Sequence, residues 1–269
     1  MSVPVSDTPA RSYTRLTAWG VALVGAILLA LWLLGTPPGV LGKADAVGYA
    51  ICHRIAERAF HIHDRPLPLC ARCTGIYLGV MTGLAVYAAR GRLRASQLPP
   101  IKFLAALALW CVWYAADGLN SYLTFFEFYT PIYQPHNTLR LITGMGFGLA
   151  MITVILPVFN TILWKNLEAA APLRRWSDLA LLVGIAVGVV IVVLLELPAV
   201  LITAAIVSAA GVLFMFSVVG CTVFLMFTRR ENTLVGWRDL VLPQVSGLVF
   251  ALAVIASIDL ARYLFTGTW

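Results

Sequence analysis

The sequence predicts an all-α fold, a polytopic bundle of about seven transmembrane helices, and three observations predict it. Of 269 residues, 61% are hydrophobic and only 12% charged, about half the charged share of an ordinary soluble domain. The apolar residues fall in runs near 20 residues, the length a helix needs to cross about 30 Å of hydrocarbon. No segment alternates apolar and polar residues as a barrel strand must, and in lipid only helices or closed barrels satisfy their own backbone groups.

The expected helices are about 17–36, 74–90, 101–118, 139–163, 178–197, 199–227 and 239–264. The turn at Glu196-Leu197-Pro198 is the weakest break; were it only a kink, the count would fall to six and the last helices would invert. Arg11 and Arg15 precede the first run, and Ala44-Asp45-Ala46 looks superficially like a cleavage site. The apolar run is too long and that site too distant for a cleaved leader, so a retained first helix is expected. Residues 1–269 then form a single integral membrane domain with a loop at 37–73.

Net charge is +7, but the excess lies in short loops between apolar runs, so no nucleic-acid partner is expected. The loops set orientation instead. Arg11, Arg15, Arg90, Arg92, Arg94, Lys102, Lys165, Arg174, Arg175, Arg229, Arg230 and Arg238 fall on one side. Lys43, Arg54, Arg58, Arg65, Arg72, Arg140 and Arg262 fall on the other, giving 12 against 7. The N-terminus is therefore expected in the cytoplasm of a cell-membrane protein, with the 37–73 loop outside. Four of the seven minority charges lie within residues 54–72, which suggests a local use for them.

Small residues recur at four-residue spacing: Gly75, Gly79 and Gly83; Gly144 and Gly148; Gly184 and Gly188. Such faces let helix backbones approach closely.

The densest polar stretch is CHRIAERAFHIHDRPLPLCARCTGIYLG at 52–79, with three of the five cysteines and three of the four histidines. Cys70 and Cys73 meet the start of the second helix one turn apart, where the helix terminus and Arg72 stabilise thiolates. Three readings stand side by side. Cys52, Cys70 and Cys73 form a closed zinc site, with His53, His61 or His63 as the fourth ligand. Cys70 and Cys73 are a redox dithiol, with Cys52 resolving. Or a disulfide from Cys52 to Cys70 or Cys73 staples the loop.

A second cluster, Asp117, Asn120, Ser121, Asn137, Arg140 and Thr143, reaches the same membrane face in this topology. Ionisable groups at that depth are costly unless paired or solvated. An Asp117–Arg140 ion pair and a ligand pocket are both compatible with it. Asp259 and Arg262, at i and i+3, are expected to pair with each other.

Cys52-His53, Arg58-x-Phe60 and PLCARCTGIYLG at 68–79, followed by DGLNS at 117–121 and NTLRLITGMGFG at 137–148, resemble a family of predicted prokaryotic membrane proteins grouped as a domain of unknown function. The resemblance covers about 52–148. It implies a membrane protein with a Cys-His-Cys-Cys signature and no established reaction.

The leading expectation is thus a zinc-stabilised loop, held by Cys52, His53, Cys70 and Cys73, that caps a pocket lined by Arg72, Asp117, Asn137 and Arg140. Arg72 and Arg140 would meet a phosphate or carboxylate of an anionic lipid or small molecule. One alternative is a thiol-disulfide oxidoreductase coupling Cys70 and Cys73 to a membrane quinone, its ring against Trp110, Trp113 and Tyr114. The other is a small-solute transporter. No phosphate loop, hydrolase elbow, HExxH or nucleotide fingerprint is present. The lipid bilayer is an expected partner; self-association is left open.

Overall fold

The computed structural model describes residues 13–126 and 128–267; Arg11, counted above, lies outside them. The described residues form eight α-helices. They are α1 (Arg15–Gly35), α2 (Gly39–Ile51), α3 (Ala71–Ala89), α4 (Ile101–Leu123), α5 (Asn137–Leu163), α6 (Trp176–Leu194), α7 (Pro198–Phe227) and α8 (Val241–Thr266). Each expected helix has its counterpart, and the fold is an all-α bundle.

The 37–73 segment is not a loop throughout. Its first part is α2, and a short antiparallel hairpin, β1 (His61–Ile62) with β2 (Arg65–Pro66), sits between α2 and α3. The break at Glu196 is a true turn. α6 stops at Leu194, Glu196 takes a positive φ of 52°, and Pro198 opens α7 where a missing N–H costs nothing.

Six helices, α1 and α4 to α8, are long and apolar enough to cross a membrane. Large apolar side chains such as Leu23, Ile27, Leu109, Val112 and Ile191 stand exposed on them, as lipid-facing residues do. α3 is less apolar, carrying Arg72, Thr74, Tyr77, Thr82 and Tyr87. It packs against α5, α6 and α7. A helix shielded from lipid can carry polar groups, because neighbouring protein supplies their partners.

The glycines fix how α3 meets α5. Gly75 lies on Leu141 and Met145, Gly79 on Met145 and Gly148, and Gly83 on Ile152, so the two helices run parallel. From the other side, Gly144 abuts the carbonyl of Arg72 and Gly148 that of Ile76. A methyl group at Gly75, Gly79, Gly144 or Gly148 would collide with backbone. Gly184 and Gly188 differ: no neighbouring atom comes within 4 Å, so that pair does not mark a helix contact among the described residues.

The two ends of the bundle carry different polar sets. At one end, Asp178 takes Arg90 and Arg92, each at 2.8 Å, and Asn160 holds the Leu93 and Ala95 carbonyls at 2.8 Å. The start of α3, the end of α4, the start of α5 and the end of α8 meet at the opposite end. That end holds the candidate site.

Candidate functional site

Cys52 caps the C-terminus of α2 and Cys70 the N-terminus of α3, with Cys73 one turn inside α3. The chain between them turns back through the hairpin, where Leu67 N–H bonds the Phe60 carbonyl at 2.8 Å. The three sulfurs end within 4.8 Å of one another, close enough to hold one metal ion. All five cysteines are free thiols, so no disulfide joins Cys52 to Cys70 or Cys73.

The Cys70 N–H donates to Cys52 Sγ at 3.3 Å. The Cys70 and Cys73 thiols also donate toward it, and together these donors pull the buried Cys52 thiol well below its ordinary pKa. Cys52 is thus the sulfur best prepared to be a thiolate, the form that binds metal or attacks a disulfide.

The expected histidine ligand is not at hand. His53, His61 and His63 are all exposed, and none joins the sulfur group. For His53 the reason is local. Cys52 is extended, at φ −120° and ψ 149°, and successive side chains of an extended chain point to opposite sides. If Cys52 faces the cluster, His53 faces away.

Beside the sulfurs lies the second cluster. Arg72 Nη2 donates to Asp117 Oδ2 at 2.5 Å and to the Asp117 carbonyl at 3.2 Å. Asp117 is fully buried, and Tyr133 and Thr143 hydroxyls complete its shell at 2.8 and 3.2 Å. Asp117 therefore pairs with Arg72, not with Arg140. Arg140 instead donates to Ser121 Oγ at 3.0 Å and to Asn137 Oδ1 at 2.9 Å. Asn137 Nδ2 reaches the carbonyls of Glu57 and Ala59, at 3.3 and 3.1 Å, tying the cysteine segment to α5.

Matching residues 52–154 is the family of predicted membrane proteins DUF2085. An uncharacterized protein of Methanocaldococcus jannaschii, MJ1492, is 32% identical over 123 residues, covering 46% of this chain and 72% of that protein. An uncharacterized protein of Methanothermobacter thermautotrophicus is 37% identical over 111 residues, covering 39% of this chain and 86% of its own. The chain belongs to this family. No solved structure matches it. The family segment runs from Cys52 to Val154 within α5, and it contains the three clustered cysteines, Arg72, Asp117, Asn137 and Arg140.

Arg58 has a larger place than its motif position suggested. Its Nη2 donates to the Ser121 carbonyl at 3.2 Å, and its guanidinium lies 4.2 Å from the Phe125 ring centre. Burial, and then the nearby charge of Arg72, push its pKa down. Ser121 thus joins Arg58 through its carbonyl and Arg140 through its hydroxyl. Of these three guanidinium groups only that of Arg72 meets the buried carboxylate, and Nε of both Arg72 and Arg140 is buried without a partner.

A further side chain unforeseen in the sequence is Arg262, from the far end of the chain. It donates to the Tyr49 and Cys52 carbonyls, the latter at 2.9 Å. It does not form the expected ion pair with Asp259. The signal was absent from the sequence because α8 reaches α2 only through the tertiary fold.

Proposed function

We propose that this membrane protein holds a zinc ion on Cys52, Cys70 and Cys73, and an anionic group beside it on Arg58, Arg72 and Arg140. The meeting of three sulfurs from two chain segments carries the first part. Soft thiolates suit zinc, and three protein ligands leave the fourth position to water or an exogenous donor. Zinc would pin α2 and the hairpin to the start of α3. The second part is supported by the charge imbalance. Asp117 is the one buried carboxylate beside the three guanidinium groups, and two buried Nε–H donors lack acceptors. A phosphate or carboxylate, from a lipid or a small molecule, supplies both the charge and the acceptors. Asp117 and Asn137 position the arginines.

The orientation that best fits the loop charges puts the N-terminus in the cytoplasm of a cell-membrane protein and this site outside it.

Metal analysis of protein purified without chelators tests the reading. About one zinc per chain is expected, falling sharply in Cys52→Ser and Cys73→Ser. Metal-free protein whose Cys52 is oxidised onto Cys70 or Cys73 would overturn it. That result favours the quinone-coupled reading, in which Cys70 and Cys73 form the redox dithiol and Cys52 resolves.

A further inference from the structure

A second polar feature lies between α1 and α8. Asp259, two turns before the end of α8, is only 2% exposed. Trp32 of α1 donates its indole N–H to Oδ2 at 3.3 Å. Oδ1 is buried with no partner. The cations nearby make no bond to it. Lys43 is held by the Leu33 and Thr36 carbonyls and by Thr36 Oγ1, and Arg262 by the carbonyls of α2. Among the described residues Asp259 makes no ion pair.

A buried acceptor without a donor inside the apolar slab costs free energy comparable to a lost hydrogen bond. The surrounding shape shows where a donor comes from. Asp259 lines a cavity of about 590 Å³ between α1 and α8, with Leu28, Leu31, Trp32, Ala256 and Leu260 among its walls. That volume is in the range of small-ligand sites. α1 has no buried residue and its outer face is apolar, so the cavity is reached from the acyl-chain region. Oδ1 itself is buried, so a head group has to enter between side chains to meet it.

We propose that the α1–α8 cavity binds a membrane amphiphile with a neutral hydroxyl head, which donates to Asp259 Oδ1 while its chain lies along Leu28, Leu31 and Leu260. Arg262, one turn further along α8, disfavours a cationic head. The site is independent of the zinc and anion reading, because it uses none of those residues.

The test uses the full-length protein in lipid nanodiscs. The probes are hexadecanol carrying a mid-chain diazirine and its methyl ether, which keeps the chain and loses the donor. After photolysis, peptide mass spectrometry locates the adducts. The alcohol should label α1 near Leu28–Trp32 and α8 near Ala253–Leu260 about fivefold more than the ether, the size of one net hydrogen bond. Asp259→Leu should bring the alcohol down to the ether's level, whereas Asp259→Asn, which keeps an oxygen acceptor, should retain a preference. Equal labelling by alcohol and ether in the unaltered protein would overturn the proposal, and that arm does not depend on any variant folding. So would an undiminished preference in Asp259→Leu.

Discussion

Arg72, the second residue of α3, spans 45 positions to grip Asp117 on α4 with both a side-chain and a main-chain bond. Its partner carboxylate is fully enclosed. Removing one member of such a pair strands the other's charge, at a cost of about 3 kcal/mol. Asp117→Leu should therefore lower thermal stability in detergent strongly. Arg72→Leu in the same chain should recover a good part of the loss. Additive losses in the double variant would show that the two residues act separately.

Arg72→Lys keeps the charge but loses the planar, longer-reaching guanidinium whose Nη2 serves both Oδ2 and the carbonyl. Its midpoint of thermal unfolding should fall nearly as far as that of Arg72→Ala. A lysine variant as stable as the parent would show that a point charge suffices here.

Asn137 touches no sulfur, yet it holds the Glu57 and Ala59 carbonyls and so the segment that leaves Cys52. With zinc bound as proposed, Asn137→Ala should keep its metal at equilibrium. It should release it to a chelator about 10-fold faster, as loss of an outer-sphere support does in other metal sites. Unchanged release kinetics would separate Asn137 from the sulfur cluster.

Orientation is open to direct measurement. His63, at the exposed hairpin tip, and Glu231, in the exposed turn after α7, belong to opposite ends of the bundle. A membrane-impermeant maleimide applied to intact cells should label His63→Cys and leave Glu231→Cys unlabelled. The reverse pattern would turn the molecule over and place the cysteines in the cytoplasm.

Much of this arrangement was legible in the sequence, for reasons that differ by residue. Length and hydropathy gave the long helices. Cys52, Cys70 and Cys73 could be expected to meet because Pro66 and Pro68 disfavour a continuous helix between them. Asp117 and Arg140 came to the same end because a helix-count parity placed them there. The failures share one cause. That Asp117 chooses Arg72, that Arg262 abandons Asp259 for carbonyls on α2, and that His53 turns away from Cys52 all depend on side-chain direction in three dimensions. Neither spacing nor charge encodes it. α2 was missed because 39–51 is short and glycine-containing, and most of it is buried by neighbours distant in sequence.

The position of Arg262 also bears on biogenesis. The three clustered cysteines and the three arginines beside them lie between residues 52 and 140, whereas the guanidinium that fastens the Cys52 carbonyl comes from α8. Chains emerge from the ribosome N-terminus first. The thiols and guanidinium groups are therefore present well before α8 is synthesised, and capture of the proposed metal can precede closure of the bundle. The final helix would then act as a latch, inspecting a finished centre rather than building one.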